Sequence, residues 1–144
     1  MNEAAAKTSP TVIDERDVAP DGWDDPVRGR LHWRTLFSQG ATPTQSITCG
    51  VAELAPGDHL ERHRHAPAEV YYVFAGEGIV VLDGKEIAVK PGAAVFIPGM
   101  AEHGVRQTGA APLRFFYVFA VDSFDGVEYL FSEPQPTRQA AKSE

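Results

Sequence analysis

A chain of 144 residues with 13 basic and 20 acidic side chains carries a formal net charge of −7. That balance argues against nucleic-acid binding, which needs a basic surface to displace phosphate counterions, and fits a protein handling small molecules. Hydrophobic residues at 43% and charged residues at 23% describe one globular domain with a real core and exclude a disordered chain.

No apolar run approaches the ~20 residues of a membrane span, and Met1 to Lys7 offers no apolar signal core, so a cytoplasmic protein without membrane contact is expected. Cys49 is the single cysteine, which rules out an intrachain disulfide and reads as a small apolar strand residue.

Residues 1–22 lack periodicity, carry Pro10, Pro20 and Asp21-Gly22, and are expected to form a flexible lead-in. Residues 23–132 then run as short apolar segments with a Gly or Pro signal every ~8–12 residues, the pattern of an all-β barrel or sandwich. Strands are expected over 31–37, 46–54, 70–74, 79–82, 85–89, 94–97, 103–107, 113–121 and 127–131. Asp83-Gly84 between two of them is a two-residue hairpin signal. Residues 133–144, with Pro134 and Pro136, read as a disordered tail.

The informative stretch is Gly57, five residues, His63, one residue, His65, three residues, Glu69, six residues, Gly76. Side chains two apart on a strand share a face, so His63 and His65 point together, and Glu69 and Tyr71 share their parity. Two imidazoles and a carboxylate on one face are three ligands of a divalent metal. His103 is the candidate for a fourth, because Gly92, Pro98 and Gly99 turn the chain so that a new strand starts there. His32 and His59 stand outside this spacing and read as ordinary polar residues, His59 on the rim.

These residues resemble the cupin superfamily. Gly57, His63, His65, Glu69 and Gly76 match its first motif in full; Gly92, Pro98 and His103 match the second, with Met100 where glycine is usual and Gln107 where asparagine is usual. The resemblance spans about residues 31–131 and implies a single-domain double-stranded β-helix, a jelly-roll barrel. It further implies a homodimer, for which the apolar even-parity positions Val70, Tyr72 and Phe74 offer a contact. Three imidazoles and one carboxylate leave two open positions on an octahedral ion, with Fe(II) the first expectation and Mn(II) the second; Ni(II), Co(II) and Zn(II) also suit such a site.

Tyr71, two residues beyond Glu69, points its hydroxyl into the barrel and reads as a general base favoured by a nearby cation. A narrower resemblance links the run from His63 to Tyr71, and the later Leu113 to Tyr117, Asp122-Ser123-Phe124 and Val127-Glu128-Tyr129, to the cupin-type lyases of dimethylsulfoniopropionate (DMSP). In that family a tyrosine placed like Tyr71 is the base, one placed like Tyr129 assists at the substrate, and an aromatic stands where Trp33 does. The implied reaction is β-elimination of DMSP, a small carboxylate with a sulfonium end, to dimethyl sulfide and acrylate. Aromatic faces suit a sulfonium cation, and Trp33, Phe37, Tyr117 and Tyr129 are the candidates. Two other readings stand beside it: a cupin dioxygenase or isomerase acting on a small acid, and a non-catalytic module that binds a small ligand.

Overall fold

The structure, a computed structural model, describes residues 8–133. Its strands are β1 (Asp21–Asp25), β2 (Gly29–Phe37), β3 (Thr48–Leu54), β4 (His59–Arg64), β5 (Glu69–Ala75), β6 (Glu77–Leu82), β7 (Lys85–Val89), β8 (Ala94–Ile97), β9 (His103–Thr108), β10 (Leu113–Phe119) and β11 (Leu130–Phe131). Single 3-10 turns at Glu15–Asp17 and Phe124–Gly126 are the only helical elements among the described residues. No helix there is long and apolar enough to cross a membrane. The all-β expectation is met.

Every strand pairing is antiparallel, in the order β7-β6-β9-β4-β2-β3-β10-β5-β8, with β1 added on β2 and β11 on β4. Strict alternation builds the inner face. In β10, Leu113, Phe115, Tyr117 and Phe119 are buried while the residues between them are half-exposed; in β5, Glu69, Tyr71 and Val73 are buried. With the inward residues of β2, β3, β8 and β9, these form one core. Asp83 and Gly84 both take positive φ (49° and 84°), the twist that a tight β6–β7 hairpin requires. Gly76 is needed for another reason: a Cβ there would stand 2.1 Å from the Pro112 carbonyl oxygen.

Three differences from the sequence reading concern what frames the site. β4 is missing from the expected strand series, which assumed strand parity only at His63 and His65, because His-Leu-Glu-Arg-His-Arg has no apolar alternation; a register shift between Leu60 and His63 leaves those two residues as its buried ones. β1 begins at Asp21, ahead of the barrel boundary expected at residue 23, so Asp21-Gly22 opens a strand instead of a turn. The strand expected over 127–131 shortens to two residues, preceded by the 3-10 turn. Residues 8–20 of the expected lead-in lie against the sheet: Arg34 Nε donates to the Val18 carbonyl at 2.9 Å, and Arg114 pairs with Glu15 and, at 3.1 Å, with Glu53. The rest of the lead-in, 1–7, and 134–144 of the expected tail lie outside the described residues.

Candidate metal centre and cavity

Strand register brings the four expected ligands together. His63 of β4 stands opposite His103 of β9, His65 follows the end of β4, and Glu69 opens β5. One ring nitrogen from each of His63, His65 and His103 can be chosen so that all lie within 4.8 Å of one another. Glu69 Oε1 is 3.2 Å from His65 Nε2 and 3.4 Å from His103 Nε2. All four residues are buried.

Each imidazole is oriented by a backbone carbonyl two residues away. His63 Nδ1 donates to Glu61 O at 2.7 Å, His65 Nδ1 to Pro67 O at 2.9 Å, and His103 Nδ1 to Ala101 O at 2.9 Å. A carbonyl only accepts, so each Nδ1 carries the proton and each Nε2 lone pair faces the centre. His103 Nε2 is sealed from solvent with no hydrogen-bond partner, an arrangement that normally costs ~1–3 kcal/mol. Burial, then the neighbouring His103, hold the His63 pKa well below its usual range, so His63 is poised as a neutral ligand. The three histidines thus have the tautomer and convergence that a metal ion uses, His103 Nε2 is in addition an unmet polar atom, and Glu69 adds a carboxylate to the same point.

Met100 and Gln107, the two departures from the family pattern, both support this arrangement. Met100 takes φ +66°, the conformation in which glycine is at ease, and its N–H donates to His65 O at 2.8 Å. Gln107 donates to the carbonyls of Gly109 (3.0 Å) and Ala111 (2.8 Å) and accepts from Gly57 N–H at 3.3 Å, tying two turns together.

A cavity opens beside this cluster, lined by Trp23, Trp33, Glu69, Tyr71, Tyr117 and Tyr129 among others. It is small, with room for roughly two waters. Tyr71 is fully buried, 4.3 Å ring to ring from Phe115, with its phenol pushed well above the usual pKa by burial and then by the Glu69 carboxylate. The Tyr129 ring lies 5.1 Å from His63 and 5.3 Å from His65, and burial followed by Glu69 raises its pKa likewise. Tyr117, opposite Tyr71 in the β10–β5 register, stands 3.4 Å by its hydroxyl from Thr35 Oγ1, and burial raises it too. Gly50 leaves the space for that hydroxyl, because a Cβ there would meet it at 2.5 Å.

Phe37 stands apart. It lines an outer groove with residues 8–11 instead of the cavity. The register of β2 on β3 shifts between Thr35 and Phe37, and this irregularity breaks the parity that Phe37 would otherwise share with Trp33. His59 sits on the outside, 2.8 Å from Glu61.

Trp23 and Phe124 are among the cavity residues that the sequence reading missed. Trp23 packs edge-on against Trp33 (4.9 Å) and Tyr129 (5.2 Å), while the Arg28 guanidinium covers its ring at 4.9 Å. Phe124 lies 5.9 Å from Trp33 and 6.1 Å from Tyr129. For Trp23 the only available signal was an aromatic amid Asp and Gly; Phe124 was part of a matched run but had no parity to aim it.

Comparison with known proteins agrees with this geometry. The family model described as a cupin domain matches residues 50–119. Dimethylsulfoniopropionate lyase DddW of Ruegeria pomeroyi is 42% identical over 123 residues, spanning 85% of this chain and 80% of that enzyme. The oxalate-binding protein of Thermotoga maritima is 28% identical over 92 residues, 63% of this chain and 76% of that protein. Among solved structures, the polyketide cyclase RemF from Streptomyces resistomycificus superposes with a TM-score of 0.74 at 20% identity over 94% of each chain, a likeness of fold. The chain belongs to the cupin family and is similar over most of its length to the Ruegeria lyase.

Proposed function

We propose that this protein is a metal-dependent carbon–sulfur lyase that cleaves DMSP to dimethyl sulfide and acrylate. The observation that carries the reading is the placement of two phenols, Tyr71 and Tyr129, in the one cavity that also holds Glu69 and His63, in a chain 42% identical to a DMSP lyase over most of both lengths. His63, His65, Glu69 and His103 would hold the ion, Fe(II) first and Mn(II) second, with Ni(II), Co(II) or Zn(II) also compatible with the donor set. When bound, that cation supplies Lewis acidity toward a carboxylate and offsets the burial and Glu69 charge that hold both phenols protonated.

The residues of the chain then divide the work. Tyr71, the more enclosed phenol, accepts the α-proton at its oxygen. The electron pair so released forms the α–β double bond as the β-carbon–sulfur bond breaks, and sulfur leaves as neutral dimethyl sulfide. Tyr129 assists at the substrate. Trp33, Tyr117 and Tyr129, together with Trp23 and Phe124, surround the sulfonium with aromatic faces, which attract a cation without a competing anion. The proton on Tyr71 returns to solvent after acrylate departs.

The test is a headspace assay for dimethyl sulfide from iron- or manganese-loaded protein with DMSP, run beside Tyr71→Phe. Release by the wild type, and a loss of about 10²–10⁴-fold in the variant at equal metal content, is expected for removal of a general base. No release under either metal would overturn the reading and direct attention to oxygen-dependent reactions of other small carboxylates.

The same proposal includes a homodimer and a cytoplasmic location. Val70, Tyr72, Phe74 and Phe96 lie together on the outer face of β5 and β8 with 39% to 65% of their surface exposed, an apolar patch suited to a second copy. Sedimentation equilibrium finding only monomer at micromolar concentration would refute the dimer. A single buried, unpaired Cys49 suits a reducing compartment.

A further inference from the structure

The Tyr129 wall of the cavity hangs on very little main chain. β11 is two residues long and pairs only with β4, Leu130 opposite Arg64 and Phe131 opposite His63; one further backbone bond, Ser132 N–H to Arg62 O at 2.9 Å, completes its attachment there. A strand this short does not fix its own position, because so few ladder bonds oppose the entropy of ordering it. Yet Tyr129, just before it, has to stay within a ring's width of His63 and His65.

Outward side chains of β4 and of the residues flanking β9 and β11 supply what the ladder lacks. The Glu102 carboxylate accepts from the Ser132 hydroxyl and from Arg62 Nη1 at 3.2 Å, with Arg64 Nη2 at 3.7 Å. Arg62 reaches across with its other nitrogen, Nη2, to the Glu133 carbonyl at 3.1 Å. Glu102 is itself anchored by both backbone groups: its N–H donates to Asp83 Oδ1 at 3.0 Å, and its carbonyl accepts from Asp83 N–H at 2.8 Å. The Arg62 and Glu102 side chains are 13% and 17% exposed, so the pair is shielded from the water that weakens surface ion pairs.

Strand alternation links this cluster to the site. His103 and His63 face inward from β9 and β4, while their neighbours Glu102, Arg62 and Arg64 face outward from the same chain segments. The inner surface carries the ligands and the outer surface carries the fastening.

We propose that Glu102 is a positioning residue for Tyr129: acting through Ser132 and Arg62, it fixes the last strand on β4 and so holds the Tyr129 phenol beside the metal-ligand histidines. Glu102 is not among the residues that line the cavity. The role deepens the lyase reading and rests on it for its kinetic consequence, but the positional part stands independently of turnover.

The experiment compares metal-loaded wild type with Glu102→Gln, Ser132→Ala and Ser132→Thr. Hydrogen exchange should show faster exchange of the 129–133 amides in Glu102→Gln and Ser132→Ala, with the amides of β9 unchanged. With DMSP, these two variants should lose about tenfold in kcat at full metal occupancy, and Ser132→Thr, which keeps the hydroxyl, should recover most of it. Unchanged exchange over 129–133 would overturn the proposal. So would loss of metal from Glu102→Gln, which would mean that Glu102 acts through His103, or a normal kcat despite faster exchange. If the wild type releases no dimethyl sulfide, the lyase reading fails while the exchange comparison still decides whether Glu102 fixes the segment.

Discussion

The two ends of the cavity are built by opposite means. At the metal end, His63, His65 and His103 stand on or beside strands in the middle of the sheet, and each ring is pinned by a carbonyl of its own chain segment. At the aromatic end, Trp23 and Tyr129 come from β1 and the approach to β11, the two strands added outside the main sheet order. Ligand geometry is thus fixed by local backbone bonds that exist before any substrate arrives. Substrate geometry depends on side chains packing across the two ends of the described chain.

Removing one pole should leave the other standing, and the largest effect belongs to the metal end. His103→Ala should abolish metal retention through dialysis, and activity with it, while the barrel stays folded; full metal occupancy in that variant would remove His103 from the centre. At the aromatic end, Trp23→Leu should keep the metal and raise KM for DMSP by about 2- to 30-fold, the equivalent of losing one cation–π contact of ~0.5–2 kcal/mol. An unchanged KM would show that Trp33, Tyr117 and Tyr129 suffice.

The poles should also differ in pH response. The folded His63 pKa lies well below the 6.5 of an unperturbed histidine, so on acidification the unfolded chain takes up its proton first. Stability contributed by neutral His63 is therefore present above pH 6.5 and lost as pH falls below it. The metal-free protein should melt lower at pH 5 than at pH 7.5, and a flat profile would contradict the burial argument. The smallest effect is expected outside both poles: Phe37→Ala should leave kcat and KM within about twofold, since nothing places that ring in the cavity.

Much of this was legible in the sequence where strands stay regular. Period-two parity aimed Tyr71 inward, the family spacing gathered His63, His65, Glu69 and His103, and the need for cation-facing aromatics named Trp33, Tyr117 and Tyr129. The same need named Phe37, which lies elsewhere because an irregularity between it and Thr35 shifts the register, and no residue type there announces one. β4 escaped because its outward residues are charged and form the Arg62–Glu102 network, so apolar alternation had nothing to register. β1 escaped because Asp-Gly-Trp-Asp-Asp is a poor strand former held in place by β2. Gln107 and Met100 show the reverse case. The side chain of one and the backbone of the other meet needs that their positions in the motif alone do not reveal.

The contact of Trp23 with Phe131, at 5.7 Å, joins strands from opposite ends of the described chain. During synthesis the three histidines and Glu69 have all emerged before β11, and none of the four proposed ligands comes from the last residues. The aromatic wall cannot close until they are made. Such a sequence-distant closure is among the slowest kinds of contact to form, so a refolding chain should acquire its metal centre in an earlier kinetic phase than its binding cavity.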